Sequence, residues 1–124
     1  MIIGIGVDIV KVKRIKKALE RTAGFCKGVF SLEEIAYFSN KNNKYETAAG
    51  FFAAKEAFSK ALGTGIRGFR LTDIVVKNNS LGKPDIYISN KIKNKFKLVN
   101  HKIHLSISHT DEEAIAYVVI EEVC

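Results

Sequence analysis

The chain opens on an almost unbroken apolar run, IIGIGVDIV, in which Ile3, Ile5, Val7 and Ile9 alternate with Gly4, Gly6 and Asp8. A β-branched run of this kind predicts a buried strand over residues 2–10. Its two glycines clear space on the side to which Asp8 points. Apolar positions then recur at Val12, Ile15, Ala18 and Leu19 with basic residues between them, which predicts a helix over residues 11–22, stopped by Gly24. Ser31 followed by Glu34 is a capping-box start for a short helix through Phe38. After the polar loop NKNNK, a longer helix is expected over residues 45–62, capped by Gly63. Helical spacing turns Phe51, Ala54, Phe58 and Leu62 towards a sheet, and Lys55, Glu56, Ser59, Lys60 and Gly63 to a second side.

The second half changes period. Residues 71–77 are β-branched and predict a strand, and NNSLGKPDI is a turn entering another strand through Ile88. Ser89 is placed to cap a helix bearing Ile92, Phe96 and Val99 on one face. Ile103, Leu105 and Ile107 alternate with His104, Ser106 and Ser108 as a strand, SHTDEE turns the chain, and residues 114–120 return. The order β-α-α-α-β-β-α-β-β implies a single domain over residues 1–124. Its fold class is α+β, with a mostly antiparallel sheet packed against the long helix.

Composition narrows the partners. At 124 residues, 47% apolar and a formal charge of +7, the chain can build one modest core and attract anions. Nucleic acid, phosphorylated small molecules, acidic proteins and anionic membranes all satisfy that charge. Cys26 and Cys124 lack metal-ligand spacing and suit reduced thiols in a cytoplasmic protein. The opening run has no basic segment before it and is interrupted by Asp8, unlike a signal peptide. No apolar run reaches the roughly 20 residues of a membrane span.

Three stretches could carry chemistry, each with a plain structural alternative. On the long helix, Glu56 and Lys60 suit an i,i+4 pair on a solvated stripe, yet the GTG that follows would let a ligand approach the backbone closely. Asp8 is either a helix cap or a ligand-facing carboxylate. His109 sits at the tip of a hairpin, either merely exposed or within reach of a ligand. Taken in order, GIGVDIVKVKRI, FFAAKEAFSKALGTGI and LSISHT, with GKP between the second and third, resemble the signature blocks of the holo-acyl-carrier-protein synthases. These are the short, single-domain 4′-phosphopantetheinyl transferases.

The resemblance implies transfer of the phosphopantetheine arm of coenzyme A to a serine of apo acyl carrier protein, with Mg²⁺ held by Asp8 and Glu56. Two converging carboxylates repel unless a cation lies between them, and Mg²⁺ completes its octahedron with phosphate and water. It further implies that Lys60 stabilises phosphate charge, and that the serine proton passes to Glu56 or to a metal-bound water. Ser59, Gly63, Gly65, Lys83, Pro84, His109 and Thr110 would border the coenzyme. Many family members have arginine where this chain has Phe51; if that arginine contacts a phosphate, a lysine such as Lys44 or Lys55 must substitute or affinity falls. Arg14, Lys17 and Arg21 would dock the acidic carrier, and a homotrimer would share each coenzyme site between subunits. The other class considered is a small basic nucleic-acid-binding module, supported by the lysine-rich segment 91–102. No RNP-type aromatic pattern, zinc-ligand set or helix-turn-helix accompanies it, so neither nucleic acid nor membrane is the expected partner.

Overall fold

The computed structural model describes residues 1–123. Strand β1 (Ile2–Lys11) leads into α1 (Val12–Arg21), α2 (Phe25–Val29), α3 (Leu32–Ser39) and the long α4 (Lys44–Ala61). A 3-10 turn (Leu71–Asp73), the hairpin β2 (Ile74–Asn78) and β3 (Pro84–Ile88), and α5 (Asn90–Lys95) precede the closing strands β4 (His101–His109) and β5 (Glu113–Glu122). The α+β class holds, with all pairing antiparallel but divided between two sheets: a three-stranded one in the order β1-β5-β4, and the β2–β3 hairpin.

The contact between β1 and α4 is made backbone to backbone. A Cβ placed on Gly6 would lie 2.0 Å from the Ala57 carbonyl oxygen, and one on Gly4 would lie 2.1 Å from that of Ala61. Across the sheet, Gly50 accepts the Ile107 side chain, where an added Cβ would come within 2.9 Å. The sheet-facing side of α4 is therefore its small residues, Gly50, Ala57 and Ala61, and the expected Phe51 face turns elsewhere. Phe51 stacks on Tyr37 at 5.7 Å between ring centroids and meets Phe38 edge-on, joining α4 to α3.

This close approach also decides which side of β1 faces inward. Side chains alternate along a strand, so turning the glycines to α4 turns Ile3, Ile5, Val7 and Ile9 outward. Ile5 and Ile9 are 60% and 59% exposed, and Ile115 and Tyr117 of β5 extend the apolar surface. The expected fully buried strand is thus corrected: only one of its faces is covered. Beneath α4, Ala114, Ala116, Val118 and Ile120 of β5 complete the core.

Local signals account for several boundaries. Ser31 and Glu34 form the reciprocal capping box that starts α3, and Ser89 caps α5 through the Ile92 amide. That helix ends earlier than expected, at Lys95. Lys97 then takes a left-handed φ of 56°, and Val99 is left exposed. The strand expected from residue 71 begins at Ile74, because the Asp73 carboxylate accepts the Arg70 amide and holds a 3-10 turn first. The short α2 has no apolar period long enough to announce it. Cys26 is a free, half-buried thiol, and Cys124 lies outside the described residues. Among the described residues, no helix is long and apolar enough to cross a membrane.

Gly6→Ala should destabilise the fold by about 3 kcal/mol or prevent folding, because its methyl group meets backbone that cannot turn aside. Urea unfolding measures this, and a change below about 1 kcal/mol would contradict the contact.

Candidate active site

Helix α4 is covered on most sides, and its polar residues divide between two environments. Lys55 and Ser59 are buried. The Lys55 ammonium donates to the Val29 carbonyl at 2.6 Å, to Glu34 Oε1 at 2.7 Å and to the Leu71 carbonyl at 3.1 Å, which uses all three of its protons. Burial pushes this lysine below its ordinary pKa, against the opposing pull of Glu34. The Glu34 carboxylate also accepts the amides of Ser31 and Val76. The Ser59 hydroxyl donates back to the Lys55 carbonyl at 2.8 Å. Both residues are therefore corrected: neither presents a free group to a coenzyme, and Lys55 cannot replace the missing arginine.

Glu56 and Lys60 emerge on the flank of α4 beside β1. Lys60 Nζ lies 3.1 Å from Asp8 Oδ1 and donates to the Val7 carbonyl at 3.0 Å, so its ion pair is made with Asp8 and not with Glu56 as helical spacing suggested. Glu56 has its pKa raised first by burial and then by the Asp8 carboxylate, with Lys60 and Arg14 pulling it back. Asp8, Glu56, Lys60 and the Arg14 guanidinium of α1 thus share one electrostatic neighbourhood. Among the described residues, no cluster of three or more histidine, cysteine or carboxylate side chains could enclose a metal ion. Two carboxylates in mutual repulsion nevertheless fit a hard divalent cation whose remaining positions go to phosphate and water.

The second candidate region is a cleft of about 250 Å³ on the other flank of α4, lined by Tyr37, Lys41, Thr47, Phe51, Asn78 and His109 among others. Gly82 and Pro84 of the GKP turn reach it, whereas Lys83 turns its ammonium to Asp85 at 3.2 Å. Thr110 is exposed, and its oxygen accepts the amides of Glu112 and Glu113, which leaves the hydroxyl proton free. Lys44 places its ammonium over the Tyr45 ring at 5.1 Å. Gly63 and Gly65 follow the helix with φ of 81° and 65°, conformations that suit glycine, and no side chain crowds them. Arg14, Lys17 and Arg21 are exposed along α1.

With Gly50, Ala57 and Ala61 on the sheet, 100° per residue puts Thr47 and Phe51 on one flank of α4 and Glu56 and Lys60 on the other. One chain therefore gathers Asp8, Glu56 and Lys60, but not these together with Pro84 and His109. Tyr37, Lys41, Thr47 and Asn78 were not foreseen in the cleft. They come from three helices or loops and a strand, and no sequence spacing links them.

Residues 4–118 match the 4′-phosphopantetheinyl transferase superfamily. The chain is similar to a holo-[acyl-carrier-protein] synthase of Clostridium beijerinckii, 51% identical over 99% of this chain and 100% of that one. A synthase of Clostridium tetani is 50% identical over 100% and 99% of the two chains. Among solved structures, a holo-(acyl-carrier-protein) synthase from Bacillus anthracis in complex with CoA (3′,5′-ADP) superposes with a TM-score of 0.83 at 40% identity, covering 99% of each chain. The Helicobacter pylori synthase in complex with coenzyme A gives a TM-score of 0.84 at 36% identity, over 94% of this chain and 99% of that one. The chain belongs to the 4′-phosphopantetheinyl transferase superfamily, among the holo-[acyl-carrier-protein] synthases.

The raised pKa of Glu56 makes a stability prediction. Ionising this carboxyl costs more in the folded chain than in the unfolded one. Its effect is nil well below the ordinary value of 4.5, grows destabilising as pH rises from there to the higher folded value, and is complete above it. In chelator at pH 7, Glu56→Gln should therefore melt at a higher temperature than wild type, with the gap closing towards pH 4. A lower melting temperature for the variant at pH 7 would contradict the repulsion.

Proposed function

We propose that this chain transfers the 4′-phosphopantetheine group of coenzyme A to a serine of an apo acyl carrier protein and releases adenosine 3′,5′-bisphosphate. The observation that carries the proposal is the juxtaposition of Asp8, Glu56 and Lys60, on an α4–β1 contact that glycines alone permit. It is supported by relatives of about 50% identity that bear the synthase name, and by relatives whose structures contain coenzyme A.

In this reading the serine oxygen attacks the β-phosphorus, and the bond from that phosphorus to the bridging oxygen of the leaving nucleotide breaks. The serine proton leaves to Glu56 or to water. Asp8 and Glu56 would hold Mg²⁺, which when bound supplies positive charge to the pyrophosphate and orients it. Lys60 keeps 54% of its side chain exposed and, among the described residues, has Asp8 and one carbonyl as partners. It can swing to a phosphate oxygen and neutralise charge as the bond breaks. The remaining rate gain comes from holding the two substrates in line.

The carrier is assigned to α1, where Arg14, Lys17 and Arg21 are exposed on one face and Arg14 lies close enough to act on Glu56. Basic rim residues of this kind steer an acidic partner and set its on-rate. The coenzyme's nucleotide end is assigned to the cleft that holds Pro84 and His109. Because that cleft and Glu56 occupy opposite flanks of α4, a site shared between subunits of a homotrimer fits the geometry. The exposed apolar face of Ile3, Ile5, Val7, Ile9, Ile115 and Tyr117 is a surface suited to such contacts. The compartment assigned is the cytoplasm, where coenzyme A and reduced thiols such as Cys26 coexist.

Mixed with apo carrier protein, coenzyme A and Mg²⁺, the protein should add one phosphopantetheine to the carrier by mass spectrometry, and chelation should stop the addition. A carrier of unchanged mass after complete incubation would refute the activity. Ile5→Lys, which puts a charge on the exposed face, should lower the mass seen by light scattering to that of one chain and slow transfer by more than about tenfold. A variant that keeps both the assembly and the rate would place the subunit contact elsewhere.

A further inference from the structure

The docking helix α1 carries a single carboxylate, Glu20, in the sequence VKRIKKALER. Glu20 lines a shallow basic groove with Lys13, Lys16, Lys17 and Arg21. Helical spacing favours a pair between Lys16 and Glu20, but among the described residues Glu20 forms no ion pair within 4.0 Å. Its partner is Tyr45 at the start of α4, whose hydroxyl donates to Glu20 Oε2 at 3.2 Å. The Lys16 ammonium rests over the Tyr45 ring instead, 5.3 Å from the centroid, and Lys44 approaches the same ring at 5.1 Å. Val12 and Ile15 in the first half of α1 are buried and Leu19 in its second half packs partly against the core, and the Tyr45 contacts add a polar tie between this second half and α4.

We infer that Tyr45 is a positioning residue for carrier recognition: it tethers the one acidic side chain of α1, which stays exposed at the edge of the basic groove, towards α4 and so limits how far that carboxylate can turn to the partner. This inference rests on α1 being the carrier's docking surface. A carboxylate free to turn outward would face the acidic partner directly, and like charges opposed across an interface weaken encounter and complex. The tyrosine ring also gives the Lys16 ammonium a resting place over its face, so that the lysine is not spent on neutralising Glu20.

Tyr45→Phe keeps the ring and removes only the hydroxyl. Steady-state transfer should show the KM for apo carrier protein raised about threefold, an effect of the size expected for one exposed charge contact. The kcat and the KM for coenzyme A should be unchanged. The increase should shrink at high salt, and it should vanish in the Glu20→Gln background, where no charge remains to be restrained. A Tyr45→Phe enzyme with unchanged carrier KM would overturn the inference, as would an effect that survives in the Glu20→Gln background or a parallel loss in kcat. Wild-type transfer in the same assay separates the two levels. Without it the proposed activity fails, and with it only the role of Tyr45 is on trial.

Discussion

The site depends on one steric constraint, the approach of α4 to β1 at a distance only glycine allows. Gly4 and Gly6 leave no side chain between the strand and the carbonyls of Ala57 and Ala61. The carboxylate two residues further along the same face of β1, Asp8, therefore arrives beside Lys60 and within the electrostatic reach of Glu56. A larger residue at either glycine would lift the helix from the sheet and part the two acids. The same contact sets the outer surface of the protein, since alternation along β1 sends its four branched residues away from the core. A cluster of charged groups at one face of this strand and an apolar surface on the other are two consequences of one packing decision.

A second constraint fixes how α4 is rotated. The ammonium of Lys55 is enclosed by two carbonyls and a carboxylate, and Glu34 is tied in turn to the amides of Ser31 and Val76. Removing one partner of such a pair leaves a buried charge uncompensated, at a cost of about 3–5 kcal/mol. This knot holds α2, α3, α4 and the 3-10 turn together on the side of α4 away from the sheet. Glu56, the very next residue, is thereby aimed at Asp8. Neighbouring residues of opposite charge thus have different surroundings: the lysine holds the helix from inside, and the glutamate faces Asp8, where the proposed reaction would use it.

What the sequence made legible was local. The capping box at Ser31, the cap at Ser89 and the alternation of β4 can each be read within a few residues, because the interactions that decide them span three or four positions. The facing of β1 was not legible, since a period of two tells which residues share a side but not which side is inward. The burial of Lys55 was hidden because its partner Glu34 lies 21 residues earlier. A helix covered on most sides also has no amphipathic stripe to read. Asp8 and Glu56 became a pair only through resemblance to a family, and the cleft around His109 had no sequence signature, being assembled from separate segments.

Both substrates assigned to this chain are anions, and their approach poses an electrostatic problem that the charge layout answers. A formal charge of +7 draws them in, but a site of uniformly basic character would hold a negative product as firmly as a negative substrate. The basic residues of α1 instead border a centre containing two acids, of which Glu56 already resists ionisation. That centre gains most from a cation, and a cation there can be shared with a pyrophosphate. Anion attraction is thus spread over a wide, exposed helix, where each contact is weak and salt-screened. In the proposed reaction the metal-dependent step belongs to the edge between β1 and α4, where backbone packing brings the Cα positions of Asp8, Glu56 and Lys60 together.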